Sequence, residues 1–239
     1  MKDSFDNIKC IILCAGKGSR LIPQTLNIPK SMLIIDNKPI IEHIINYWKR
    51  FTNDFIFIVG YKKKILIDFI KKLPINAEFI EQKELKGIAH AILLTKDIVS
   101  DNFIVVLGDC ICNGEFNFSW GKDQSLGVWK TENEDDIKRS YSVEIKDNKI
   151  VKVIEKPKEI INNLCGMGYY FFSRKVFDYI KKTKSSALRG EIEITDVIQM
   201  MIDGGERIRP VFFNGDYINV TYEGDLEKAK NIFSYGIKK

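Results

Sequence analysis

Short apolar runs and amphipathic stretches take turns along the first half of the chain. Lys9–Ala15 (KCIILCA) is a β-branched run that stops at glycines, which predicts a buried strand. Pro39–Arg50 repeats Ile40, Ile41, Ile44, Ile45 and Trp48 on one side, the spacing of a helix. Phe55–Gly60 then predicts a strand, Lys63–Lys72 a helix, Ala77–Glu81 a short strand, Gly87–Asp97 a helix and Phe103–Leu107 a strong strand. Strand and helix alternating in this way predict an α/β fold with a mostly parallel sheet covered on both faces.

The pattern changes in the second half. Ser125–Lys130, Ser140–Lys146 and Lys149–Glu155 predict strands, the last two joined at Asp147-Asn148, a pair suited to a hairpin turn. Gly166–Ser173, Arg207–Phe213 and Tyr217–Thr221 predict further strands. Lys175–Lys182, Glu193–Asp203 and Asp225–Phe233 predict helices, the second stopped by Gly204-Gly205. No internal repeat, low-complexity tract or Pro-rich linker interrupts the 239 residues, which predicts a single domain over 1–239.

Composition narrows the class. Apolar residues make up 45% and charged residues 29%, which excludes disorder of the whole and suits a soluble globular protein. The net charge of +5 (37 basic, 32 acidic) is mild and spread out, without the dense basic stripe of a nucleic-acid binder. Lys62-Lys63-Lys64 and Lys181-Lys182 read as solvated helix faces. The five cysteines form no metal-ligand framework, and Cys110 and Cys112 read as small buried residues. The odd cysteine count and the absence of an apolar run in Met1-Lys2-Asp3-Ser4-Phe5-Asp6 point to a reducing cytoplasm. No stretch approaches the roughly 18 apolar residues of a membrane span. Neither nucleic acid nor membrane is therefore an expected partner, and room is left for a homo-oligomer.

The candidate chemistry begins where the first strand ends. Leu13–Pro39 (LCAGKGSRLIPQTLNIPKSMLIIDNKP) carries Gly16 and Gly18, then Arg20 and Lys30. Glycines let backbone N–H groups approach a phosphate chain closely, Arg20 offers a planar fork for phosphate oxygens, and Lys30 a compact charge behind the fixed backbone of Pro29. At the carboxyl end of a parallel strand, such a loop lies where α/β folds bind ligands. It is neither a GxxxxGK[ST] P-loop nor a full GxGxxG fingerprint. Asp109, in Leu107-Gly108-Asp109 at the end of the strong strand, is well placed to hold Mg²⁺, a hard ion that takes carboxylate oxygen.

The wider string resembles the sugar-phosphate nucleotidylyltransferases, in which Gly-x-Gly-x-Arg-Leu-x-Pro-x-Thr is followed by Pro-Lys. Here these are Gly16-Lys17-Gly18-Ser19-Arg20-Leu21-Ile22-Pro23-Gln24-Thr25 and Pro29-Lys30, and the likeness continues through Lys38-Pro39-Ile40-Ile41-Glu42. Gln82 and Gly87-Ile88-Ala89-His90-Ala91, Gly108-Asp109, Glu155-Lys156-Pro157, Gly166–Phe172 and Arg189–Asp196 (RGEIEITD) recur in the family's order. The resemblance runs from about Cys10 to Lys230 and implies the Rossmann-like, three-layer fold of nucleotide-diphospho-sugar transferases with a mixed, mostly parallel central sheet.

It also implies roles. Arg20 and Lys30 would bind the nucleotide's phosphates and Lys156 the acceptor phosphate, as the three catalytic residues. Leu13, Ala15, Gly16, Gly18, Gln82, Gly87 and Asp109 would line the nucleotide site, Gln82 on a pyrimidine edge, in a nucleotide-binding part of about 1–112. Ser142, Glu155, Lys156, Tyr169 (or Tyr170) and Glu193 would meet the acceptor, in a part of about 113–239. Ser142 stands where glucose-1-phosphate thymidylyltransferases tend to place a sugar-contacting glycine. The family's second Mg²⁺ ligand is an Asp in an aromatic-x-Asp string; Tyr217-Ile218-Asn219 puts Asn219 there, with Asp216, Glu223 and Asp225 as acids that could compensate.

The implied reaction joins an NTP, with UTP or dTTP favoured, to a hexose 1-phosphate and releases pyrophosphate. An ionised acceptor phosphate needs no general base, so His43 and His90 are expected to be structural or pocket-lining. The chain closes soon after its last helix, so no acyltransferase or regulatory extension is expected. Two other readings stay open: a cytidylyltransferase with a non-sugar phosphate acceptor, and a nucleotide-binding module without turnover.

Overall fold

The structure is a computed structural model and describes residues 8–117, 124–184 and 190–234; Arg189 and the N-terminal hexapeptide lie outside them. The chain divides into two compact units. The first comprises residues 8–85, 106–114 and 215–234; the second comprises 86–105, 115–117, 124–184 and 190–214.

In chain order, β1 (Lys9–Cys14) leads through the glycine loop to a two-stranded ribbon, β2 (Ile34–Ile35) and β3 (Lys38–Pro39). Its turn, Asp36-Asn37, has both residues at positive φ, the geometry in which these short polar side chains are tolerated. Next come α1 (Ile40–Trp48), β4 (Asp54–Val59), α2 (Lys63–Ile70) and β5 (Asn76–Glu81). Strands β5, β4 and β1 lie side by side and parallel, with Cys14 opposite Val59 and Val59 opposite Glu81, so their carboxyl ends are level. Helix α1 buries Ile40, Ile41, Ile44, Ile45 and Trp48, the stripe that its spacing predicts. Each large apolar side chain so buried stabilises the fold by about 1.5–3 kcal/mol.

The chain continues through α3 (Ile88–Leu93), β6 (Asn102–Leu107), β7 (Cys110–Phe116), β8 (Gln124–Lys130), α4 (Glu134–Arg139), β9 (Tyr141–Lys146) and β10 (Lys149–Glu155). It closes with β11 (Leu164–Ser173), α5 (Val176–Lys182), α6 (Ile194–Asp203), β12 (Ile208–Asn219) and α7 (Glu223–Ser234). In the second unit β11 is antiparallel to β8 and β9, β9 to β10, and β8 is parallel to β12. Asp147 and Asn148 both take positive φ, and Gly205 follows α6 at φ 83, so the expected hairpin and helix stop are in place.

Three expectations need correction. Arg207–Phe213 and Tyr217–Thr221 are one strand, β12, bent at Gly215 (φ 144), where a Cβ would strike the backbone of Asn113. Helix α4 and strand β7 were not expected. Helix α4 buries only Ile137 and has an Asn133 cap whose side chain accepts from the Asp135 N–H at 3.2 Å, so it carries a capping signal but no apolar stripe.

Gly166 on β11 sits opposite Tyr141 on β9, and a Cβ at Gly166 would overlap the Tyr141 ring. The ring is held by its hydroxyl, which donates to the Met167 carbonyl at 3.1 Å. Gly166→Ala is therefore expected to cost about 1–3 kcal/mol through overpacking, read as a lower urea midpoint with an unchanged m-value.

Candidate active site

The first unit holds the residues of the candidate phosphate loop. The Ala15 carbonyl accepts from the Tyr61 N–H at 3.1 Å, a close approach open only to glycine at position 60, since a Cβ there would lie 2.7 Å from that oxygen. Leu13, half-buried in β1, gives its carbonyl to the Gly108 N–H at 2.9 Å. Gly16 is exposed, and a Cβ on it would meet nothing within 4 Å. Among the described residues, packing therefore does not require glycine at this position.

Gly18 differs. It lies at φ 63, and a Cβ would sit 2.9 Å from the Lys30 Cβ. Its carbonyl accepts from the Leu21 N–H at 2.9 Å and the Thr25 hydroxyl at 2.8 Å, folding the loop back on itself. Thr25 thus has a structural task that its place in the signature did not disclose. Arg20, on the turn Ser19–Leu21, is exposed and pairs with no acid among the described residues, while its neighbour Leu21 anchors the turn in the core.

Lys30 follows Pro29, whose φ of −66 starts a short 3-10 turn. Its Nζ lies 2.5 Å from Asp109 Oδ2, so the two oppositely charged candidates meet although 79 positions separate them. The Asp109 carbonyl accepts from the Val220 N–H at 2.9 Å, which brings Asn219 alongside. The Thr221 hydroxyl donates to Asn219 Oδ1 at 3.2 Å, leaving that oxygen a second lone pair.

The acids near Asn219 have other tasks. Asp225, 4% exposed in the first turn of α7, accepts from the Thr221 and Tyr222 N–H groups at 2.9 and 2.8 Å and so ties that turn to the residues before it. Glu223 accepts from Gln24 Nε2 at 2.9 Å, and Asp216 is exposed on β12. Among the described residues no group of three or more His, Cys, Asp and Glu side chains forms a ready metal cluster. Gln82 directly follows β5 and is 6% exposed, its N–H donating to the Val59 carbonyl at 2.9 Å.

Burial keeps the nearby thiols protonated. It pushes Cys14 up to about 12 and Cys110 well above the usual thiol range, Asp109 adding to both. All five cysteines are free and buried, as the reading of Cys110 and Cys112 as small buried residues expects for those two. His43 packs on Phe233 with its Nε2 2.7 Å from the Ile35 carbonyl, a structural setting.

The second unit gathers the acceptor candidates. After β10 the chain turns at Lys156, which takes φ 42 and donates its N–H to the Ser140 carbonyl at 2.8 Å. Lys156 Nζ lies 3.0 Å from Glu155 Oε1, and the Thr195 hydroxyl donates to Glu155 Oε2 at 3.3 Å. Thr195, in the RGEIEITD segment, therefore orients this carboxylate. Glu193, the residue before α6, adds a second negative charge beside it. Gly87, at φ 91, lets Ile192 approach; a Cβ would lie 2.9 Å from the Ile192 carbonyl, which joins the 87 turn to the segment bearing Glu193.

Two acceptor candidates sit elsewhere. Ser142 pairs with Ile154 and Cys165, whereas Tyr141 pairs with Glu155, so the Ser142 side chain is on the opposite face of the sheet from Glu155. It is 2% exposed, its hydroxyl has no hydrogen bond among the described residues, and the Cys165 thiol on that face reaches the Asp136 carbonyl of α4. Tyr169, 1% exposed, packs edge-on against Phe116, and Tyr170 stacks on Tyr141 and Phe172. Both rings are core residues in this unit.

Burial raises the Glu155 pKa above its ordinary value of 4.5; Lys156 and Thr195 lower it and Glu193 raises it further. The fold thus favours the protonated acid: that contribution is full below the unfolded pKa and is lost as pH rises through the folded one. Glu155→Gln, uncharged throughout, is expected to have a Tm advantage that is small near about pH 4 and widens towards about pH 8.

The profile of the Nucleotidyl transferase family matches residues 9–218. The bifunctional protein GlmU of Methanocaldococcus jannaschii is 37% identical over 221 residues, covering 92% of this chain and 52% of that protein. This chain therefore spans about half the length of that relative. The UTP–glucose-1-phosphate uridylyltransferase AglF of Haloferax volcanii is 32% identical over 234 residues, covering 93% of this chain and 95% of that protein. A UDP-glucose pyrophosphorylase solved with UDP-glucose is 22% identical, superposes with a TM-score of 0.82 and covers 97% of this chain and 99% of that one; at that identity the likeness concerns the fold. No helix among the described residues is long and apolar enough to cross a membrane. A profile match over most of the chain and a whole-length relative place this protein in the nucleotidyl transferase family, with the Rossmann-like, three-layer fold of nucleotide-diphospho-sugar transferases and their mixed, mostly parallel sheet.

Proposed function

We propose that this chain transfers a nucleoside monophosphate from an NTP, UTP or dTTP by preference, to a sugar 1-phosphate, giving an NDP-sugar and pyrophosphate. The observation that carries the reading is the Lys30–Asp109 pair, at 2.5 Å, in the unit whose glycine loop leaves Gly16 open at the carboxyl ends of parallel strands. The uridylyltransferase relative, matched over nearly its whole length, favours a uracil nucleotide and a hexose 1-phosphate.

The acceptor phosphate oxygen attacks the α-phosphorus in line, and the bond to the β-phosphate oxygen breaks as pyrophosphate leaves. The protein aligns two anions and offsets their repulsion. Arg20 binds the β- and γ-phosphate oxygens, Lys30 the α-phosphate, and Lys156 the acceptor phosphate. Glu155, oriented by Thr195, and Glu193 take sugar hydroxyls. Gln82 and the backbone at Gly87 read the base.

The donor set around Asp109 fits Mg²⁺. One carboxylate and the free lone pair of Asn219 suit an ion that keeps its waters and takes its other ligands from phosphates. Asp109 and Asn219 would hold it, and when bound it supplies positive charge at the α-phosphate. The reaction is assigned to the cytoplasm, with neither nucleic acid nor membrane as a partner.

Incubation with Mg²⁺, each of ATP, GTP, CTP, UTP and dTTP, and a panel of phosphorylated acceptors, read by mass spectrometry, tests this. A UDP- or dTDP-hexose is expected. Product with CTP and a non-sugar acceptor alone would make the chain a cytidylyltransferase, and tight binding without product in any mixture would make it a binding module.

A further inference from the structure

We propose that Cys110 and Tyr217 are positioning residues that fix the carboxylate of Asp109 for nucleotidyl transfer, an inference that rests on the reading of Asp109 given above. Asp109 is held at both carboxylate oxygens. Oδ2 meets the Lys30 ammonium at 2.5 Å, and Oδ1 faces the Cys110 thiol at 3.7 Å, within reach of a sulfur donor. The Tyr217 hydroxyl, in turn, donates to that sulfur at 3.1 Å, and both side chains are buried.

A line of contacts thus runs from the phenol through the thiol to one oxygen of the acid. It is reinforced through the backbone, because Val220, three residues beyond Tyr217, donates its N–H to the Asp109 carbonyl at 2.9 Å. Strand β12 and the residue that follows it therefore reach Asp109 twice, Val220 at its main chain and Tyr217, through Cys110, at its side chain. A carboxylate that must meet a polyphosphate and its cation in one rotamer gains from being held at the oxygen that Lys30 does not occupy. The thiol is a weak donor, so its effect should be graded: orientation is tuned, and the acid itself remains.

The test uses Cys110→Ala, Cys110→Ser and Tyr217→Phe in the full chain. Mn²⁺ affinity is read by electron paramagnetic resonance with α,β-methylene-UTP present, alongside Tm and the Mg²⁺ concentration for half-maximal turnover. Cys110→Ala and Tyr217→Phe are expected to weaken Mn²⁺ binding about threefold to tenfold, the range of one net hydrogen bond, and to raise the Mg²⁺ requirement in step. Cys110→Ser, which restores a donor, should recover part of both. Variants that lose Tm but keep wild-type Mn²⁺ affinity and Mg²⁺ requirement would overturn the proposal and leave Cys110 a packing residue. Tyr217→Phe keeps the ring, so it reports even where Cys110→Ala folds poorly. If Asp109→Ala itself leaves Mn²⁺ affinity and turnover intact, the reading of Asp109 fails, which is a separate result.

Discussion

Lys30→Ala is expected to lower kcat/KM for nucleotidyl transfer by about a hundredfold to a thousandfold, the scale of losing one preorganised charge at a developing anionic centre. Without substrate, Lys30 and Asp109 neutralise each other at 2.5 Å. In the proposed role of Lys30, the substitution does two things: it removes a positive charge from the α-phosphate and leaves Asp109 without its Lys30 partner beside incoming phosphates. Both oppose binding of a polyanion. Lys30→Arg should recover little, because a planar fork cannot reproduce a compact ammonium that follows a fixed proline turn. Steady-state kinetics at saturating Mg²⁺ checks this. Asp109→Ala should lose activity on the same scale for the complementary reason, with turnover at low Mg²⁺ most affected.

Gly18→Ala is the second large effect, and its origin is conformational. The position lies at φ 63, where an L-residue with a Cβ is penalised by about 1–2 kcal/mol, and the new methyl would press on Lys30 at 2.9 Å and on the Thr25 methyl at 3.2 Å. The loop can relieve the clash only by giving up the Gly18 carbonyl's bonds to Leu21 and Thr25 or by moving Lys30. A shift of about 1 Å in a charge that aligns phosphates can cost about a hundredfold in rate. We therefore expect a Tm lower by a few degrees together with a kcat/KM loss of about that size. Gly16→Ala is the internal comparison. Its Cβ meets only open space, so stability should hold and any loss should appear as weaker nucleotide binding.

The contrast between these glycines shows how far sequence reading reaches. The Gly-x-Gly string pointed to a candidate phosphate loop, but only the folded chain separates Gly18, needed for backbone geometry, from Gly16, where an added Cβ meets nothing among the described residues. Strands β1, β4 and β6 were legible because burial on both faces writes continuous apolar runs such as KCIILC and NFIVVL. Helix α1 was legible from its stripe, and the β9–β10 hairpin from Asp147-Asn148.

What was illegible lacked local signal. Helix α4 (EDDIKR) shows one buried residue, and β7 (CICNGEF) breaks its apolar run with Asn113 and Glu115. In β12, Asn214-Gly215 reads as a break, although the backbone carries on through it. Lys156 adopts a left-handed conformation that its residue type does not advertise.

The site follows the same division. Charges carry their chemistry in their identity, so Arg20, Lys30, Asp109, Glu155 and Lys156 could be picked from the string as candidates. Side chains that act by holding others, such as Thr25, Thr195, Cys110 and Tyr217, could not, because their partners are set by tertiary folding. Strand register also decides direction: Ser142 was chosen by position, and one step of alternation turns its hydroxyl away from Glu155.

The most direct test of the account follows the phosphorus atoms. Purified protein with Mg²⁺, UTP and glucose 1-phosphate is monitored by ³¹P NMR, with and without the acceptor. The glucose 1-phosphate resonance is expected to be replaced by the paired signals of a sugar-linked diphosphate, with one pyrophosphate released for each, and neither should appear without the acceptor. Release of pyrophosphate with free UMP in place of the sugar-linked diphosphate, equally fast with or without the acceptor, would contradict it.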